Sequence, residues 1–215
     1  MTVQRCPDLV IFDCDGVLVD SEPIVLGVLA ERMRRLGATI TDAECLRDFT
    51  GLTTSATAEL IAARLGAPLP QKWLDDLTLA VDRALAERVQ AVPGVTAVLD
   101  QLTTPYCVAS NGRPEKVALT LAATGLACYF RGRVFTASQV LRGKPAPDLF
   151  LFAAETMGVS PERCVVIEDS ESGVSAARAA GMRVLRYVAN ASDQGVEGVF
   201  SRMADLPQRL GLSQP

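Results

Sequence analysis

The sequence predicts an α/β fold, a parallel sheet covered by helices, with an all-helical segment inserted near its start. Three observations carry this. Short apolar runs rich in β-branched residues, at Val10-Ile11-Phe12, at 106–110 and at 164–167, read as strands buried on both faces. From Ala91 onward such runs alternate with helical stretches, the pattern of a parallel sheet. Between residues 21 and 90 the apolar positions recur at helical spacing and no strand pattern interrupts them.

Taken in order, the first strand ends in Asp13-Cys14-Asp15-Gly16, and glycine lets the chain bend sharply and approach a ligand. Ser21-Glu22-Pro23 reads as a helix start with a capping serine and an early proline. Ile24, Val28, Leu29, Met33 and Leu36 continue that helix, and Gly37 stops it. Further helices are expected at 42–49, from Thr53 or Thr54 to Leu65, and at 71–88 beyond the break at Pro68 and Pro70. Ala91-Val92-Pro93-Gly94 marks a boundary. Helices at 95–102, 114–124, 147–157 and 171–180 then alternate with strands at 106–110, 133–135, 164–167 and 184–188, the last expected strand. A terminal helix is expected at 204–210. Because one strand precedes the helical stretch and the rest follow it, residues 21–90 form an insertion at the carboxyl edge of the sheet. Two domains follow: a catalytic core of 1–20 with 91–215, and a helical cap domain of 21–90 over Asp13 and Asp15.

Composition excludes several function classes. Hydrophobic content of 49% and charged content of 21% describe an ordinary globular chain. The formal charge is −4 with no basic block, which argues against nucleic acid and anionic membrane as partners. No apolar run reaches the length of a membrane span, and residues 1–8 lack an apolar signal region, so a cytoplasmic location is expected. The six cysteines form no CxxC pair and read as reduced thiols; Cys14, between two acids, reads as a spacer pointing away from them. The chain has no histidine, which removes a Ser-His triad, a histidine base and histidine metal ligands together. A monomer is expected.

Four places carry chemistry. Asp13 and Asp15 repel each other unless a cation lies between them, and a hard divalent ion such as Mg²⁺ suits an oxygen set. Ser110-Asn111-Gly112 offers a hydroxyl and turn N–H groups that suit an anion, although taken alone a plain polar turn is the preferred reading. Lys144 sits in a proline-clamped loop, Gly143-Lys144-Pro145-Ala146-Pro147. Glu168 and Asp169 follow a buried strand, where unpaired acids are costly; Ser170 or Asp169 could instead cap the next helix.

In this order the four motifs resemble those of the haloacid dehalogenase (HAD) superfamily, whose fold is a Rossmann-like core with a cap domain. Cys14-Asp15-Gly16-Val17-Leu18-Val19-Asp20-Ser21-Glu22 and Val108-Ala109-Ser110-Asn111-Gly112 look most similar to its bacterial sugar-phosphate phosphatases, with 6-phosphogluconate phosphatases as the nearest branch. The resemblance implies a Mg²⁺-dependent phosphomonoester hydrolase acting on a small phosphorylated metabolite. Asp13 is then the nucleophile, forming an aspartyl phosphate, and Asp15 the acid–base group. Mg²⁺ is held by Asp13, the main-chain carbonyl of Asp15, and Asp169, with Glu168 bound directly or through water. Ser110, Asn111 and Lys144 bind the phosphoryl group, and the cap loop Thr50-Gly51-Leu52-Thr53 meets the leaving group. The alternative is a β-phosphoglucomutase-like phosphotransferase; against it, the cap-hinge histidine of those mutases falls at Val25 here. A non-catalytic phosphate-binding regulator is the remote third reading.

Overall fold

The computed structural model of the chain describes residues 6–52, 54–189 and 198–212. Thr53 of the candidate loop, and residues 1–5 of the segment read for a signal, lie outside the described residues. In chain order the strands are β1 (Leu9–Phe12), β2 (Val19–Asp20), β3 (Gln90–Ala91), β4 (Tyr106–Ser110), β5 (Val134–Thr136), β6 (Cys164–Glu168), β7 (Arg183–Tyr187) and β8 (Val199–Phe200). The helices are α1 (Glu22–Arg35), α2 (Asp42–Phe49), α3 (Thr54–Leu65), α4 (Gln71–Arg88), α5 (Val95–Gln101), α6 (Pro114–Ala123), α7 (Asp148–Thr156), α8 (Glu171–Ala179) and α9 (Leu206–Arg209).

Six strands form one sheet in the order β5-β4-β1-β6-β7-β8, with every pairing parallel. The central strands carry the most apolar sequences because they are covered on both faces. All four residues of β1 and all five of β6 are buried. One side of the sheet packs Leu9, Ile11, Cys107, Ala109 and Val166 against Leu149, Phe150 and Ala153 of α7 and Ala176 and Ala177 of α8. Alanines on α8 let that helix lie close to the strands. All the strands point the same way, so their carboxyl ends share one edge, where ligands bind in open α/β sheets.

The chain divides into two compact units, 1–20 with 91–215 and 21–90. The second has its own core, in which Leu26, Leu29, Ala30 and Met33 of α1 meet Cys45 and Phe49 of α2 and Ile61 of α3. Thr41 starts α2 with a full capping box, its side chain accepting from the Glu44 N–H while Glu44 accepts from the Thr41 N–H.

Several boundaries differ from the sequence reading. Ser21 stands at the N-cap of α1 without a side-chain cap bond, because its φ of −94° and ψ of −27° are already helical rather than extended. The stretch read as strand-free ends in β3, and β7 is not the last strand, since β8 follows it. Two-residue strands such as β2, β3 and β8 have no period to detect and exist only through a partner. In β8 that partner is β7, where the Val188 N–H donates to the Phe200 carbonyl at 2.9 Å. The terminal helix is a 3₁₀ turn at Met203–Asp205 followed by α9, whose first turn holds Pro207, a residue without an N–H to continue an earlier helix.

Candidate active site

Three neighbouring strands deliver the site. Asp13 follows the last residue of β1, Ser110 is the last of β4 and Glu168 the last of β6. The Asp13 N–H donates to the Ile167 carbonyl at 2.9 Å, so the sheet ladder runs right up to the carboxylate. Asp13, Ser110 and Glu168 are all buried although polar. The structure therefore brings the motif residues Asp13, Asp15, Ser110, Asn111, Lys144, Glu168 and Asp169 to one edge.

Lys144 is the centre of the charge arrangement. Its Nζ lies 2.5 Å from Asp13 Oδ1 and 2.7 Å from Glu168 Oε1, and 4.7 Å from the centre of the Phe150 ring. Asn111 fixes the lysine backbone from both sides. Its Nδ2 donates to the Lys144 carbonyl and its Oδ1 accepts from the Lys144 N–H, each at 2.9 Å. The Asn111 side chain is thus committed to the lysine loop rather than turned toward an anion. Ser110 Oγ accepts from the Gly112 N–H at 3.0 Å, which closes the turn between β4 and α6.

Glu168 is held on both oxygens. Oε1 takes Lys144, while Oε2 accepts from the Asp169 N–H, the Ser170 N–H and the Ser170 hydroxyl, each at 2.9 Å. Ser170 also caps α8 by accepting from the Gly173 N–H at 3.0 Å. Ser170 therefore caps the helix while also binding Glu168. Gly16 takes φ of +78°, and a Cβ there would sit 2.0 Å from Asp169 Oδ2, so only glycine lets the first turn pass this carboxylate.

Burial pushes the Asp13 carboxyl well above the ordinary range; Lys144 opposes this, and Glu168, Asp169 and Asp15 add to it. Burial pushes Lys144 down, but Asp13 and Glu168 more than offset it and hold the ammonium above its usual value. The neighbourhood is short of positive charge. One carboxylate oxygen from each of Asp13, Glu168 and Asp169 lies within 4.8 Å of the others. An all-oxygen set with excess negative charge fits a hard divalent cation, so the residues present suit the metal expected from the sequence. The Asp15 carboxylate is not in that set; it pairs with Lys116, whose Nζ is 2.8 Å from Oδ1.

Lys116, in the first turn of α6, escaped the sequence reading. A cation soon after the Ser110 turn was the available signal, but nothing local showed that it reaches a residue 101 positions away. Cys14 is fully buried, with its thiol 3.9 Å from the Thr120 hydroxyl; burial first, then Asp15 and Asp13, push it well up, which leaves it an inert spacer. The candidate loop belongs to the helical unit. Thr50 donates its hydroxyl to the Leu46 carbonyl at 2.5 Å, the Gly51 N–H donates to Glu22 at 3.2 Å, and Leu52 is exposed.

Comparison with known proteins agrees with this geometry. A model of the haloacid dehalogenase-like hydrolases matches residues 7–181. The chain is 29% identical over 206 residues to the 6-phosphogluconate phosphatase of Escherichia coli K12, covering 94% of this chain and 93% of that protein. It is 36% identical over 174 residues to the fructose-1-phosphate phosphatase YqaB of the same organism, covering 80% and 92%. A solved HAD family hydrolase from Deinococcus radiodurans R1, crystallised with bound phosphate and sodium, superposes with a TM-score of 0.81 at 32% identity, covering 98% of this chain and all of that one. The match spans all the motif residues singled out, from Asp13 to Asp169, and the chain belongs to the haloacid dehalogenase-like hydrolases.

Proposed function

We propose that the chain, a phosphatase of this hydrolase family, releases phosphate from a small phosphorylated sugar or sugar acid by way of an aspartyl phosphate on Asp13. The observation that carries the reading is Lys144 Nζ bridging Asp13 and Glu168 inside an acidic, buried sheet edge. Lys144 opposes the burial that disfavours the Asp13 anion, and offers the same ammonium to the phosphoryl oxygens. Ser110 supplies a hydroxyl donor beside it. In the first step the Asp13 oxygen bonds to phosphorus while the bond to the leaving oxygen breaks, and Asp15 gives that oxygen a proton. In the second, water bonds to phosphorus, the Asp13–phosphorus bond breaks, and Asp15 takes the water's proton.

Mg²⁺, bound by Asp13 and Asp169 and the Asp15 carbonyl, would supply charge neutralisation between carboxylate and phosphate. Glu168 holds that lysine through Oε1 and, lying in the same carboxylate cluster, would meet the metal directly or through water. The helical unit acts as a cap that excludes water, and Thr50 to Leu52 read the leaving group. The relatives named for 6-phosphogluconate and fructose 1-phosphate support the sugar-phosphate class.

The test is a screen of sugar phosphates, sugar-acid phosphates and polyol phosphates with Mg²⁺, with and without chelator, 6-phosphogluconate first. Phosphate release that chelation abolishes is expected; full activity after exhaustive chelation would overturn the metal assignment. Incubation with β-glucose 1-phosphate and catalytic glucose 1,6-bisphosphate should give phosphate, and glucose 6-phosphate forming faster would favour a mutase.

A further inference from the structure

We propose that Lys116 is the positioning residue for Asp15, fixing the rotamer that aims the acid–base carboxylate at the leaving-group oxygen. This rests on the phosphatase reading above. The backbone around Asp15 is already set. Gly16 donates its N–H to the Val19 carbonyl at 2.9 Å, and Leu18 and Val19 both donate to the Cys14 carbonyl. These bonds leave the two side-chain torsions of Asp15 undetermined. Lys116 Nζ takes Oδ1 at 2.8 Å, in a pair whose side chains are 20% and 31% exposed. The other oxygen faces the Ser110 turn: a Cβ built on Gly112 would stand 3.6 Å from Asp15 Oδ2 and 3.2 Å from Ser110 Oγ. Holding Oδ1 therefore presents Oδ2 on the side where the phosphoryl oxygens are proposed to bind.

The place of Lys116 is unfavourable by itself. It stands in the first turn of α6, after Arg113 at the N-cap, where the helix dipole disfavours a cation. Ordering a long lysine side chain there costs further entropy. A lysine standing where the helix does not favour it, with its ammonium on a carboxylate 101 positions away in the chain, is explained by what it does to Asp15. A plain half-exposed ion pair would contribute little to stability.

Both chemical steps need the Asp15 oxygen in line, but their demand differs with the leaving group. A phenoxide leaving from phenyl phosphate requires the proton far more than does 4-nitrophenoxide, which departs as a stable anion. The experiment measures kcat/KM, which reports the first step, for a series of 4-substituted phenyl phosphates with wild type, Lys116→Met and Lys116→Arg. Lys116→Met should lose at least about tenfold more on phenyl phosphate than on 4-nitrophenyl phosphate, within the range set by general acid catalysis. It should also show a pre-steady-state burst of 4-nitrophenol, because the second step still needs Asp15. Lys116→Arg should restore most of both losses. Equal losses across the series, a rise in KM alone, or no change would overturn the proposal, and calorimetry on the variants separates unfolding from mispositioning. Wild-type enzyme that released no phosphate from these esters or from the sugar phosphates of the screen above would overturn the phosphatase reading itself, a result distinct from all of those.

Discussion

Two helical glycines should respond to the same substitution with opposite sign. A Cβ at Gly173, in the first turn of α8, would meet Glu168 Oε1 at 1.7 Å and Cδ at 1.9 Å. The clash is with the end of a side chain, which is ordinarily free to swing away. Glu168 is not free to do so: it is 1% exposed and its oxygens hold Lys144, two N–H groups and the Ser170 hydroxyl. Moving it breaks a buried charge pairing, at a cost of about 3–5 kcal/mol. Alanine's better helix propensity returns about 0.5–1 kcal/mol. The net loss for Gly173→Ala is about 3 kcal/mol, a fall in Tm of about 6–12 °C for a chain of this size. Gly27, exposed in α1, has nothing within 4 Å of a built Cβ, so Gly27→Ala should stabilise by about 0.5–1 kcal/mol. Differential scanning calorimetry of both variants checks the pair. Because Trp73, the only tryptophan, lies in α4 of the helical unit, fluorescence melts follow that unit alone. A Gly173→Ala variant that melts at or above wild type would show that Glu168 is not pinned and refute the reasoning.

Asp13→Asn should fold, since volume is kept, and should lose turnover by at least about a thousandfold, roughly 4 kcal/mol of barrier; a variant that keeps a tenth of wild-type turnover has some other nucleophile. Thr50→Ala and Leu52→Ala should change the ranking of sugar phosphates by kcat/KM about fivefold or more, on the order of 1 kcal/mol, while 4-nitrophenyl phosphate is nearly unaffected; equal effects on both substrate types would mean that this loop does not read the leaving group.

What the sequence by itself determined is the α/β class and the set of residues at the sheet edge. Strands β1, β4 and β6 are buried on both faces, so Val10-Ile11-Phe12 and Val165-Val166-Ile167 had to be continuous apolar runs, and a strand tip is where an apolar run meets Asp13 or Glu168. Helices α1 to α4 were legible because each buries one face and so repeats near every 3.6 residues. Only the tertiary structure decided how the side chains at that edge are shared out. Nothing local to Asn111 told that its side chain clamps the Lys144 backbone. Nothing local to Glu168 told that Lys144 takes one of its oxygens while its own turn takes the other. Lys116, which escaped the sequence reading, reaches Asp15. Strands β2, β3 and β8 are too short to carry a period. In each case the physical reason is the same: a hydrogen bond or ion pair between residues far apart in the chain leaves no local pattern, because its partner is chosen by which strands lie side by side.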